Sequence, residues 1–167
     1  AKTPLGAKVI SVETTTEMLN AVLEELEGSR YDLAVFSAAA ADFGPKERDM
    51  VKTSSSLGSW RIDLISRPKI IDMVKNVTPG IFLVGFKAEY GVSDEKLVNK
   101  AQARIESGGI DIIVANDVAR VKVGFGHDTN EVFIIDRGGG REHLTLRGKD
   151  EIAFRLLTLA KSKMGME

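Results

Sequence analysis

Short apolar runs alternate with amphipathic stretches along most of the chain. Lys8-Val9-Ile10-Ser11-Val12 reads as a strand, and Thr14-Thr15-Thr16-Glu17 carries the hydroxyls and early acid of a helix start. Met18, Leu19, Val22, Leu23 and Leu26 then recur at helical spacing until Gly28 stops the pattern. Leu33–Phe36, Ile81–Phe86 and Ile110–Ala115 are short, mostly apolar runs, the last two separated by a helix over Ser93–Ser107 with Leu97, Ala101 and Ile105 on one face. Apolar strands that scarcely alternate, with helices between them, predict an α/β fold whose mainly parallel sheet is covered on both faces.

Two regions depart from this rhythm. Residues 44–59 are polar and rich in Ser and Lys, and Trp60-Arg61-Ile62-Asp63-Leu64 alternates like an exposed strand. The whole, about 44–66, reads as a β-flap, with a solvated surface loop as the alternative. Near the C-terminus, Val132–Asp136, the turn Arg137-Gly138-Gly139-Gly140 and Glu142–Leu146 form a hairpin pattern. A final helix is expected from about Lys149 to Met164, with Ile152, Leu156, Leu159 and Ala160 inward.

At 167 residues the chain suits a single domain over 1–167 that needs no covalent staples. Having no cysteine excludes a disulfide scaffold, a thiol nucleophile and Cys-based metal sites, and fits a cytoplasmic setting. Its 23 basic and 24 acidic residues leave no electrostatic footprint for nucleic acid or an anionic membrane. No apolar run reaches the ~18 residues that a membrane span requires. The chain opens at Ala1 without methionine and enters its first strand-like run almost at once, as a fragment of a longer protein would.

Familiar catalytic signatures are absent: there is no GxGxxG after the first strand, no P-loop, no GxSxG and no HExxH. His127 and His143 are too sparse for a histidine-rich metal site. Candidate chemistry lies instead where strands end, the usual place for ligands in open α/β sheets. After Phe36, Ser37-Ala38-Ala39-Ala40-Ala41-Asp42 offers small residues over which a flat base or phosphate can approach the backbone. Asp42 can accept hydrogen bonds there or hold Mg²⁺; tight packing with Asp42 as a cap is the competing account. Arg67-Pro68-Lys69-Ile70-Ile71-Asp72 places proline at a first helical position, with backbone amides and two cations suited to an anion. An ordinary surface helix start is equally consistent. Phe86 closes one strand and Asn116-Asp117 another, where a base-stacking ring competes with simple core packing and a polar pair with local backbone contacts.

Taken in order, these segments resemble the phosphopantothenoylcysteine synthetase family, the phosphopantothenate–cysteine ligases. The resemblance rests on Ala38–Asp42-Phe43, a lysine-containing flap, Pro68-Lys69-Ile70-Ile71 and Val84-Gly85-Phe86-Lys87-Ala88-Glu89. It continues through Ile113-Val114-Ala115-Asn116-Asp117 and Gly124-Phe125-x-x-Asp128-x-Asn130, so that it spans nearly the whole chain. The resemblance implies a Rossmann-like three-layer domain with a β-flap, C-terminal hairpin and helix, forming a homodimer and often fused behind a flavin-dependent decarboxylase. No flavin site is evident in this domain. It further implies ligation of 4′-phosphopantothenate to L-cysteine through an acyl-nucleotide, with CTP (ATP in eukaryotic members) and Mg²⁺. Carried over by motif, Phe36, Ser37 and Ala38 line the base site, Asp42 contacts the nucleotide, Pro68, Lys69, Ile70 and Ile71 approach it through backbone groups, and Phe86 packs near the base. Arg104 falls at a nucleotide-contacting lysine, Lys52 is the flap lysine that stabilises charge on the transferred phosphoryl group, and Asn116 and Asp117 lie close to the site.

Three departures stand out. The family's Lys-x-Lys flap reads Met50-Val51-Lys52 here, with Lys46 as a stand-in, and a second helix lysine falls at Gly108. The family's amino-terminal Gly-Gly-Thr and Asn-x-Ser-Ser-Gly segments have no counterpart in the 167 residues. Two rivals stay open: an NAD(P)-dependent oxidoreductase on a similar sheet, and a non-catalytic α/β interaction module.

Overall fold

The computed structural model describes residues 5–47, 51–52, 54, 56 and 58–166. Met50 and Leu57, apolar positions of the expected flap, lie outside them. The first helix, α1 (Thr15–Gly28), starts where the hydroxyls predict. Thr14 caps the Glu17 amide while the Glu17 carboxylate returns to the Thr14 amide, a reciprocal pair that satisfies two otherwise orphaned donors.

Strands β1 (Leu33–Phe36), β4 (Phe82–Glu89), β5 (Ile112–Asp117), β6 (Thr129–Asp136) and β7 (Arg141–Gly148) form one sheet in the order β1-β4-β5-β6-β7. β1, β4 and β5 run parallel, with Val35 opposite Val84 and Val84 opposite Ile112. The hairpin adds β6 and β7 antiparallel. Two short strands, β2 (Phe43–Pro45) and β3 (Leu64–Ser66), pair separately at the base of the flap. Helices α2 (Ile70–Val77), α3 (Asp94–Gly108) and α4 (Lys149–Lys163) complete the order.

The two-residue period of the strands sorts the core into halves. Leu83, Ile113, Ala115, Phe133 and Ile135 face one side with Val74 of α2 and Leu97, Ala101 and Ile105 of α3; Val22 and Leu26 of α1 pack against them. Val84, Ile112, Val114, Val132, Ile134 and Leu144 face the other side, where Ile152, Leu156 and Ala160 of α4 cover them. This is the predicted α/β sandwich.

Several local expectations are corrected. Residues 8–12 form no strand and join no ladder among the described residues, and Val9 is 61% exposed. Their apolar content suits a strand, yet strand structure needs a partner; the Lys8 ammonium instead pairs with Glu25 of α1. Trp60–Asp63 likewise falls outside the strands: the flap ladder begins at Leu64, with one further bond from the Lys46 amide to the Asp63 carbonyl at 2.9 Å. Pro68 is not the first helical residue: Lys69 is the N-cap and Ile70 begins α2.

The β6–β7 turn is held by Asp136, which is 6% exposed. Its carboxylate accepts from the Gly140 amide at 3.1 Å and pairs with Lys163 of α4 at 2.7 Å. The Lys163 hydrogen bond, with help from the turn amides, holds the Asp136 carboxyl below the usual carboxylate range. A lowered folded-state value stabilises the fold above the unfolded carboxylate value of ~4 and ceases to do so as pH falls through the folded value. Asp136→Asn is therefore expected to lower Tm by about 2–4 °C near pH 7, roughly 1 kcal/mol for a chain of this size. Thermal melts from pH 7 to pH 2 should show the gap closing below about pH 4; a gap constant across that range would refute the linkage.

Candidate functional site

The β2–β3 pair explains how residues far apart in sequence converge. It returns the chain so that the Arg67 amide donates to the Asp42 carbonyl at 2.8 Å, placing Pro68 and the start of α2 beside the loop that leaves β1. The Arg67 side chain serves this clip: its Nη2 donates to the Pro45 carbonyl at 2.9 Å. Its Nε lies only 2.5 Å from where a Cβ at Gly44 would be, so the glycine makes room for the guanidinium. Arg67 thus secures the flap base and does not line the adjoining cavity, contrary to its expected role as an anion-site cation.

That cavity, of about 270 Å³, lies at the carboxyl ends of β1 and β4. Its wall contains Phe36, Ala38–Asp42, Pro68–Ile71, Gly85–Ala88 and Arg104. All the nucleotide-site residues named from sequence are therefore brought together except Ser37. The N-terminus of α2 borders the space through Lys69, Ile70 and Ile71, where the first helical amides have no intrahelical acceptor and the helix dipole favours an anion.

Three cations, Lys69, Lys87 and Arg104, stand on the wall with the carboxylate of Asp42. Lys87 pairs with Glu89 at 2.9 Å, and Lys100 holds the other Glu89 oxygen at 2.6 Å. The Lys100 hydrogen bond, followed by that of Lys87, pulls the Glu89 carboxyl below its ordinary value. Arg104 pairs through Nη2 with Asp72 in the first turn of α2. The sequence motifs contain Lys87 and Asp72 without giving either a role. Lys87 follows Phe86 at a strand end, a usable signal; the pairing of Asp72 with Arg104, 32 positions away, has no local one.

A second cavity of about 590 Å³ opens on the α4 side of the same strand ends. Ser37 and Asn116 line it with Val132, Ile152 and Leu156, and Ala38, Ala39, Phe86 and Ala88 belong to both spaces. Asp117 is structural: its carboxylate accepts from the amides of Gly91, Val92 and Ala119. Lys52 is exposed in the flap and is not on either wall. His143 stacks on Phe133 with ring centroids 4.1 Å apart and meets Glu131 at 2.8 Å, a structural placement. Among the described residues, no group of three or more His, Asp or Glu side chains could hold a metal, and no helix is long and apolar enough to cross a membrane.

Comparison with known proteins identifies the family. Residues 1–163 match the family described as the DNA/pantothenate metabolism flavoprotein C-terminal domain. The coenzyme A biosynthesis bifunctional protein CoaBC of Thermococcus kodakarensis is 44% identical over 147 residues, covering 88% of this chain and 35% of that protein. Its counterpart in Bacillus subtilis is 31% identical over 151 residues, covering 90% of this chain and 36% of that protein. The chain thus spans about a third of the length of these relatives. The crystal structure of the C-terminal domain of a CoaBC protein superposes with a TM-score of 0.76 at 23% identity, covering 99% of this chain and 70% of that one. The DNA/pantothenate metabolism flavoprotein of Streptococcus pneumoniae gives 0.75 at 23% identity, covering 91% of this chain and 71% of that one, and so shares the fold. The chain belongs to the DNA/pantothenate metabolism flavoprotein C-terminal domain family, as its similarity to coenzyme A biosynthesis bifunctional proteins also shows.

Proposed function

We propose that this chain carries the nucleotide side of a CTP-dependent phosphopantothenate–cysteine ligase. The observation that carries the reading is convergence. Residues from the β1 loop, the α2 start, β4 and α3 line one cavity, although they were named from separate sequence motifs. A structural neighbour at TM-score 0.54 and 15% identity, a Cab2 mutant, is a complex with phosphopantothenate-cysteine, which is consistent with this chemistry on this fold.

In this reading Phe36 and Phe86 flank the base, Asp42 accepts from a ligand amine or hydroxyl, and the α2 amides with Lys69 and Arg104 receive the phosphates. The carboxylate of 4′-phosphopantothenate attacks the α-phosphate, breaking its bond to the pyrophosphate leaving group. The cysteine amine then attacks the acyl carbon, forming the amide, losing a proton and expelling CMP. Positioning and fixed positive charge lower both barriers, so no side-chain nucleophile is needed. Mg²⁺ enters as part of the nucleotide substrate. Lys52 would meet the transferred phosphoryl group from the flap, in its own subunit or across a homodimer. The second cavity, sharing Phe86 with the first, offers space to the acyl partner.

Calorimetric titration of the full-length protein with Mg²⁺-CTP, Mg²⁺-ATP and NADH tests this. Saturable binding of Mg²⁺-CTP, tighter than that of Mg²⁺-ATP, is expected, with none of NADH. Binding of NADH alone would replace the reading with an oxidoreductase, and silence from all three with an interaction module. Preference for ATP would correct the nucleotide while keeping the ligase.

A further inference from the structure

Arg104 reaches the cavity wall from α3, and its pose depends on two residues that do not line that wall. Asp72, on α2, takes its Nη2. Gly108, one turn further along α3, lies beneath the guanidinium: a Cβ there would stand 2.6 Å from Nη1 and 3.0 Å from Cζ. Real carbon atoms do not approach so closely, so any side chain at 108 must push the guanidinium aside.

The backbone does not call for glycine at this position. Gly109, the helix C-cap, has φ +64°, whereas Gly108 ends the helix without a positive φ. Alanine would favour the helix at 108, since glycine has the larger conformational entropy to lose. Glycine there makes sense as space for the head group of Arg104. Asp72 then fixes one edge of the planar fork, whose other donors suit the oxygens of a phosphate.

We infer that Gly108 and Asp72 are positioning residues that set Arg104 for the phosphates of the bound nucleotide, one by leaving room and the other by holding an edge. The inference rests on the nucleotide reading above. It separates two properties that a purely structural glycine would link, because Gly108→Ala should keep or raise Tm while weakening ligand binding.

The test is a double-mutant cycle on the full-length protein, read by calorimetry with Mg²⁺-CTP and with cytidine. Gly108→Ala is expected to raise the Kd for Mg²⁺-CTP about tenfold, the size of one charge-assisted contact, and to leave cytidine binding unchanged. Asp72→Asn should act in the same direction. In an Arg104→Ala background, Gly108→Ala should have no further effect. Unchanged Mg²⁺-CTP affinity in Gly108→Ala, or a full tenfold loss on top of Arg104→Ala, overturns the positioning role alone. Failure of the unsubstituted protein to bind Mg²⁺-CTP overturns the nucleotide reading and this inference with it.

Discussion

Replacing Asp117 by alanine is expected to destabilise the fold by about 3–4 kcal/mol, because it strands amide donors in a buried place. Asp117 is 5% exposed at the carboxyl end of β5. It accepts the amides of Gly91 at 2.8 Å, Val92 at 3.1 Å and Ala119 at 3.0 Å. Two of these belong to the loop that leaves β4, so one carboxylate ties neighbouring strand ends together. Asparagine keeps one acceptor oxygen and should lose about half as much. Urea unfolding followed by circular dichroism checks both, with the midpoint shifting at constant slope. The Ala119 amide, aided by those of Gly91 and Val92, holds this carboxyl below the ordinary aspartate value. The advantage over alanine should therefore be complete above the unfolded value of ~4 and fade as pH falls through the folded one. A loss below about 1 kcal/mol would mean that water replaces the carboxylate.

The second large effect concerns the ligand. Asp42→Ala should weaken Mg²⁺-CTP binding between about ten- and a hundredfold, corresponding to the ~1.5–3 kcal/mol of a hydrogen bond to a charged acceptor. Tm should change little, because the Asp42 side chain is exposed and the bond to the Arg67 amide comes from the Asp42 backbone carbonyl, which the substitution leaves in place. Calorimetry alongside thermal melts separates the two quantities. A large fall in Tm with unchanged affinity would make Asp42 a packing residue, the competing account open from the sequence.

Legibility followed the range of the interactions. The helix start at Thr14–Glu17, the apolar runs of β1, β4 and β5, and the inward faces of α3 and α4 are readable because each depends on residues a few positions apart. The segment 8–12 is not legible in this way, because apolar content says nothing about whether a partner strand is alongside. Pro68 pointed correctly to a helix start but lies outside the helix, since a start signal does not fix the residue at which helical hydrogen bonding begins. The charge of Arg67 points to an anion site, yet its reach to the Pro45 carbonyl depends on the β2–β3 register, which composition does not encode. The cavity was reached through ordered motifs; no spacing rule would have brought Phe36, Lys69, Phe86 and Arg104 to one wall.

The two spaces at the strand ends share Phe86, whose side of the crevice is open enough to leave the residue 40% exposed. Were each space to hold a ligand, the common wall would make the two occupancies thermodynamically dependent. A ligand that fixes the ring from one side changes the affinity for a ligand on the other, and linkage requires the reverse effect to be equal. Trimming the ring to leucine would then alter the cooperativity between two ligands as well as each affinity measured alone, since Phe86 is the largest of the four side chains that both spaces share.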